Sequence, residues 1–240
     1  MKRLAPVVAL ASLAIAVPAQ GATVSTLGPT GTGPVGLTLD SAGNVFTANN
    51  TSDDVSKLLA GGGAAGAPWP VATLDPWDVV ADGSGNLFSS DASGGAAPSA
   101  VSKVTAAGAL GGSPWPVILP VSSIPQGITI DEAGNIYTAN AGSNSVSKIT
   151  PGGVASTFAS TGAGSSPYDL AFDRDGNLYV ANNGNDTVSK FSPSGNPAGA
   201  PWPVSIGAGA NPWDITVDSA GNVYTANAGI SVDTVSRITA

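Results

Sequence analysis

The sequence predicts an all-β fold, a β-propeller of five four-stranded antiparallel blades, and three observations carry that prediction. A motif recurs five times at fixed internal spacing. Each copy divides into short strands bounded by turn residues, the composition of radially repeated sheets. The last copy lacks a strand that the start of the chain resembles.

The copies begin at Pro34, Pro76, Pro125, Pro167 and Pro212. The first strand follows the proline, as in "GITID". It leads to Asp40, Asp82, Asp131, Asp173 or Asp218 and then Gly-Asn at a constant offset. That turn suits a tight hairpin, because Asp accepts backbone N–H groups and Gly supplies a positive φ. The second strand, as in "NIYTAN", carries Phe46, Phe88, Tyr137, Tyr179 or Tyr224, which are expected to fill the interfaces between blades. The third ends in Val-Ser-Lys/Arg at Lys57, Lys103, Lys148, Lys190 and Arg237, read as solvated strand positions.

A fourth, outer strand follows each basic residue. Three of these segments read Pro-Trp-Pro-Val, with Trp69, Trp115 and Trp202. Proline there is expected to protect an edge strand; the alternative is a set of exposed aromatic anchors for a protein or polysaccharide. The fifth copy stops at "VSRITA", and "GATVSTLGPTGTG" parallels the outer strand "GGVASTFASTGAG" of the third. Residues 23–28 are therefore expected to close the ring as the N-terminal strand. The alternative is part of a six- or seven-bladed ring.

The segment "PQGITIDEAGNIYTANAGSNSVSKITPGG" resembles an NHL repeat, and all five copies follow that pattern over residues 34–240. Families that resemble it include the six-bladed TolB-like propellers, the gluconolactonase/regucalcin family and the streptogramin B lyases. The resemblance implies the propeller fold; different functions are grafted onto that architecture. The gluconolactonase resemblance implies a divalent cation in the channel with a Glu among its ligands. The only Glu here is Glu132, in a hairpin turn expected on the opposite face. The lyase resemblance implies a catalytic His, and the chain has none.

Composition narrows function further. Without His or Cys there is no Ser-His-Asp triad, no thiolate nucleophile and no disulfide framework. Lys2 and Arg3, the apolar run Leu4–Val17 and the small residues around Ala19 and Ala22 read as a signal peptide over 1–22, leaving 23–240 as the propeller. The expected location is secreted or periplasmic, with no membrane insertion of the mature chain. Without Lys2 and Arg3, six basic side chains face sixteen acidic ones, a surface unsuited to nucleic acid.

Candidate binding residues follow from the loops expected on one face. Three copies read Pro-aromatic-Asp: Trp77-Asp78, Tyr168-Asp169 and Trp213-Asp214. The other two carry Val35-Gly36 and Gln126-Gly127. A second loop carries Asn49, Asp91, Asn140, Asn182 and Asn227. Together they are expected to ring the channel mouth with carboxylates, amides and aromatic faces, suiting a carbohydrate-like ligand or an organic cation; the competing reading is that they cap turns and wedge blades. No catalytic residue, metal ligand or cofactor is assigned. "DRDGN" at Asp173–Asn177 resembles the start of a calcium loop, but Gly184 stands where its last acidic ligand belongs. The function read from sequence is a non-catalytic propeller binding a ligand or protein partner through its loop face; the alternative is a degenerate metal-dependent lactonase- or lyase-like enzyme.

Overall fold

The computed structural model describes residues 25–92, 98–229 and 233–239, so the signal peptide expected at 1–22 lies outside the described residues. Blade one is β1 (Pro34–Leu39), β2 (Val45–Asn49), β3 (Asp54–Leu58) and β4 (Val71–Ala72). Blade two is β5 (Pro76–Ala81), β6 (Leu87–Asp91), β7 (Ala100–Val104) and β8 (Val117–Ile118). Blade three is β9 (Pro125–Ile130), β10 (Ile136–Asn140), β11 (Ser145–Ile149) and β12 (Ala155–Ser160). Blade four is β13 (Pro167–Phe172), β14 (Leu178–Asn182), β15 (Thr187–Phe191) and β16 (Val204–Ser205). Blade five has β17 (Pro212–Val217), β18 (Val223–Asn227) and β19 (Thr234–Ile238). Each sheet is antiparallel in sequence order.

The first turn forms as its residues require. Asp173 Oδ1 accepts the N–H of Asp175 at 3.0 Å and of Asn177 at 2.9 Å, while Asn177 Nδ2 donates to Oδ2 at 2.8 Å. Gly176, at φ 77°, takes the left-handed conformation the turn demands. The Tyr179 hydroxyl adds a fourth bond at 3.2 Å.

The core lies between blades. Phe46, Ala48, Val55 and Val71 of blade one pack on Val79, Leu87 and Val104 of blade two. The arrangement repeats at the next three interfaces, with Phe88, Tyr137 and Tyr179 in the place of Phe46. Tyr224, expected in the core, is only half-buried, and among the described residues it joins none of the clusters between blades.

The Pro-Trp-Pro-Val segments serve this packing. Only their last residue opens the two-residue outer strand, as at Val71, Val117 and Val204. Each tryptophan turns inward onto its own blade's aromatic: Trp69 on Phe46 at 5.5 Å, Trp115 on Phe88 at 5.1 Å, Trp202 on Tyr179 at 5.4 Å. Lys57, Lys103 and Lys190 cover these ring pairs, so the lysines are not simply solvated. In blade three Phe158 on β12 takes the tryptophan's place, 5.0 Å from Tyr137.

Blade five shows three strands among the described residues, and residues 25–28 form no strand on it. The carbonyl of Leu27 instead accepts the N–H of Gly63 in blade one. This is the place an outer strand takes beside the next blade, as Phe158 does against Gly195 of blade four. Residues 25–28 thus lie against blade one without pairing with β19, and residues 23 and 24 of the expected closing strand lie outside the described residues. Leu37 is 69 % exposed, although its counterparts Val79, Ile128, Leu170 and Ile215 are buried. Val235 is 74 % exposed, whereas Val55, Val101, Val146 and Val188 are fully buried.

Candidate functional site

The first strand of each blade is the innermost, and a register slip positions the candidate residues. Pro76 faces Asp91 while Asp78 faces Ser90, so Trp77 is an extra residue on β5. The same slip sets out Tyr168 on β13, Trp213 on β17 and Val35 on β1. A bulge of this kind re-aims side chains. Here Trp77, Asp78, Tyr168, Asp169, Trp213 and Asp214 all line one cavity of about 770 Å³, together with Val35, Gly36, Gln126 and Gly127. Tyr168 and Trp213 meet edge to face, 4.9 Å between centroids.

The carboxylates also join blades. Asp78 Oδ1 accepts the N–H of Val79 at 2.8 Å, and its Oδ2 accepts the N–H of Ile128 in blade three at 3.2 Å. Asp169 Oδ2 accepts the N–H of Ile215 in blade five at 3.0 Å. Glycine in the preceding blade makes room for each. A Cβ on Gly36 would come within 2.3 Å of Asp78 Oδ1, and one on Gly127 within 2.4 Å of Asp169 Oδ1. Gly36 beside Asp78 and Gly127 beside Asp169 are therefore steric fits between neighbouring blades.

Enclosure dominates their ionisation. Asp78 and Asp169 keep part of their surface open to the cavity, yet protein surrounds them. Loss of water contact pushes Asp78 up to about 7 against the pull of the Val79 and Ile128 N–H groups, with the charge of Asp214 adding to the rise. Asp169 is raised well above the usual carboxylate range, by burial first and then by Asp78 and Asp214.

The asparagines are not brought to this cavity. Asn49, Asn140, Asn182 and Asn227 are buried, and each Nδ2 donates across its own blade to the Ser of the Val-Ser-Lys/Arg triplet. Those partners are Ser56 at 2.9 Å, Ser147 at 2.8 Å, Ser189 at 2.9 Å and Ser236 at 2.8 Å. Asp91 fills the equivalent place in blade two, fully buried between the hydroxyls of Ser89 and Ser102. Burial pushes its carboxyl up to about 7. The missed signal was the seven-residue spacing from Asn49, Asn140 and Asn182 to that serine, which lengthens to nine at Asn227. Sequence reasoning also missed Gly36 and Gly127, whose role appears only with the neighbouring blade in place.

The residues present do not fit a gluconolactonase-type metal. The best-placed oxygens of Asp78 and Asp169 already accept backbone N–H groups. Among the described residues no three His, Cys, Asp or Glu side chains are grouped to hold a metal ion.

Known proteins with this architecture share the fold at low identity. The Staphylococcus aureus virginiamycin B lyase is 19% identical, with a TM-score of 0.69 over 87% of this chain and 70% of that one. Its catalytically inactive His-to-Ala form with quinupristin gives a TM-score of 0.65 at 19% identity, over 87% of this chain and 70% of that one. A Xanthomonas campestris gluconolactonase is 18% identical, with a TM-score of 0.58 over 80% of this chain and 68% of that one. No curated protein matches the chain in sequence. The Virginiamycin B lyase family model matches residues 16–238, nearly the whole chain. Five sheets of the propeller type, the repeat and that match together mean that the chain belongs to the virginiamycin B lyase family.

Proposed function

We propose that this protein is an exported binding propeller, secreted or periplasmic, that holds a small ligand in the channel cavity and does no chemistry on it. The observation that carries this reading is the convergence of three Pro-aromatic-Asp segments, from three blades, on one cavity. The S. aureus relative is inactive when one histidine is replaced, and this chain has no histidine. The test is a thermal-shift survey of the mature chain with sugars, amines and divalent ions, since a ligand of the native state raises Tm by mass action. A saturable rise is expected, lost in Trp77→Ala and Trp213→Ala. Binding untouched by both substitutions would remove the basis of this reading.

Family membership favours one alternative, a degenerate metal-dependent lactonase- or lyase-like enzyme. It predicts a large shift with one divalent ion against an EDTA-treated control, together with turnover of a lactone or cyclic depsipeptide.

The same reading includes a closed ring. The exposed Leu37 of blade one and Val235 of blade five are the two halves of the contact that is buried at the other four interfaces. Residues 25–28 already hold an outer-strand place beside blade one. Because the chain has no cysteine, Leu37→Cys with Val235→Cys tests closure directly. An intramolecular disulfide is expected, calibrated by Val55→Cys with Val79→Cys at the first interface. Disulfides formed only between molecules would count against closure.

A further inference from the structure

We propose that the channel cavity takes an organic cation, an alkylated ammonium group held among the rings of Trp77, Tyr168 and Trp213 and the carboxylates of Asp78, Asp169 and Asp214. The inference rests on reading this cavity as a ligand site, and it names the chemical class of the ligand.

The first argument is which blades carry what. The register slip on the first strand forms in blade one with Val35-Gly36, so it needs neither a ring nor an acid. Yet ring and acid occur together in three blades, and the two blades that lack one lack the other. Folding of the bulge does not explain that coupling. A ligand that uses a π face and a negative charge at the same point does.

The second argument is where the chain's own cations go. Lys57, Lys103, Lys148 and Lys190 each stand over a ring of their own blade, at 5.3, 5.4, 5.2 and 4.9 Å from the centroid. Among the described residues no Lys or Arg lines the cavity. Among those residues its three rings and three acids thus have no cation, while the rings on the blade faces do. Tyr168 and Trp213 cross at 68°, and two rings at that angle form a corner with two faces for one positive group.

The third argument separates this ligand from a metal ion. A hard metal requires several carboxylate oxygens stripped of other partners. Asp78 and Asp169 each spend oxygens on backbone N–H groups of the next blade. An alkylated ammonium spreads its charge over methyl groups and needs proximity more than direct ligation, which this arrangement offers.

Binding is then linked to protons. Asp78 faces Asp169 and Asp214, while β1 and β9 present only Val35, Gly36, Leu37, Thr38, Gln126, Gly127 and Ile128 to the cavity, none of them charged. Burial and the neighbouring carboxylates make Asp78 and Asp169 hold protons that a cation displaces. Affinity for a cation should therefore rise with pH as these carboxyls ionise.

The experiment uses tryptophan fluorescence and calorimetry on the mature chain with choline and its neutral carbon isostere, 3,3-dimethyl-1-butanol. Choline should bind saturably and at least about tenfold more tightly than the isostere, the order expected for a ring-faced cation. Its affinity should rise between pH 5 and pH 8 with release of protons. Asp214→Asn, checked for an unchanged Tm, should weaken choline by about tenfold and leave the isostere unaffected. Equal binding of choline and isostere overturns the cation, and so does a sugar that binds where choline does not; both leave the ligand site standing. If choline, isostere and sugars all fail, the cation falls and the binding reading falls with it.

Discussion

Two aspartates four residues apart, Asp169 within β13 and Asp173 just beyond its end, have opposite fates. Asp173 lies in the hairpin, where side-chain and backbone N–H groups of Asn177 and the Tyr179 hydroxyl outweigh partial burial and hold its carboxyl below the usual range. Asp169 lies on the channel, where burial and two neighbouring carboxylates drive it upward against one N–H. The hairpin recurs in every blade, and in blade five its Asp218 is held down to about 2 by Asn222. The channel version occurs in three blades and differs in each. One end of the strand is therefore built for stability. The other carries unfavourable electrostatics that a ligand can relieve.

The largest expected effect breaks the comparison with pH. Asp78 and Asp91 have raised folded values, so their contribution is fully present below the unfolded value of about 3.9 and is lost as pH climbs through about 7, and Asp169, raised by burial and its neighbouring carboxylates, acts in the same direction. The hairpin acids Asp40, Asp131, Asp173 and Asp218 are lowered, so theirs is present above about 4 and lost as pH falls below the ordinary carboxylate range, for Asp218 through about 2. Tm of the ligand-free protein should peak at about pH 4–5 and decline towards pH 8 by the equivalent of several kcal/mol. A Tm that climbs steadily to pH 8 would contradict the channel side of the comparison.

Next in size is Asp173→Ala, which removes four hydrogen bonds of one turn and should cost about 2–4 kcal/mol in urea unfolding. Asp78→Asn at pH 5 should cost well under half as much, because burial holds that channel carboxyl up to about 7 and it already carries a proton there. Equal losses would erase the distinction between the two ends.

Gly127→Ala sharpens the channel side. Its Cβ would meet the Tyr168 carbonyl at 2.7 Å and the Asp169 Cα at 2.8 Å, backbone atoms that cannot swing away. The expected cost is about 1–3 kcal/mol, whereas Gly199→Ala, with open space around it, should be nearly silent.

The smallest effect concerns Asp91. Asp91→Asn restores the residue that the other four blades use, with Ser102 ready to accept from Nδ2 and Ser89 to donate to Oδ1. It should stabilise by about 1–2 kcal/mol at pH 8 and by almost nothing at pH 4. Stabilisation of equal size at both pH values would show that packing, not charge, is the difference.

The hairpin turns and strand order were legible because their determinants lie within a few residues, and a turn that needs Asp, Gly and Asn at set offsets leaves those letters in the chain. The three Pro-aromatic-Asp segments were legible for the same reason, and they do converge on one cavity. The asparagines misled: an amide that recurs on a loop-ward strand end looks exposed until the serine across the sheet is in place. The tryptophans of Pro-Trp-Pro-Val misled similarly, since an outer strand suggests an edge, yet the rings fold back onto Phe46, Phe88 and Tyr179.

By itself, then, the sequence determined what short-range chemistry determines: five repeats, their strands, their turns and which side chains belong to the first strand of each blade. Tertiary structure alone decided that Gly36 and Gly127 clear space for the next blade's acid, that Asp78 and Asp169 are pushed towards neutrality, and that Leu37 and Val235 stand exposed where their counterparts are buried. Each of these depends on atoms some forty or more residues away, and burial and charge–charge repulsion have no value until those atoms are brought alongside.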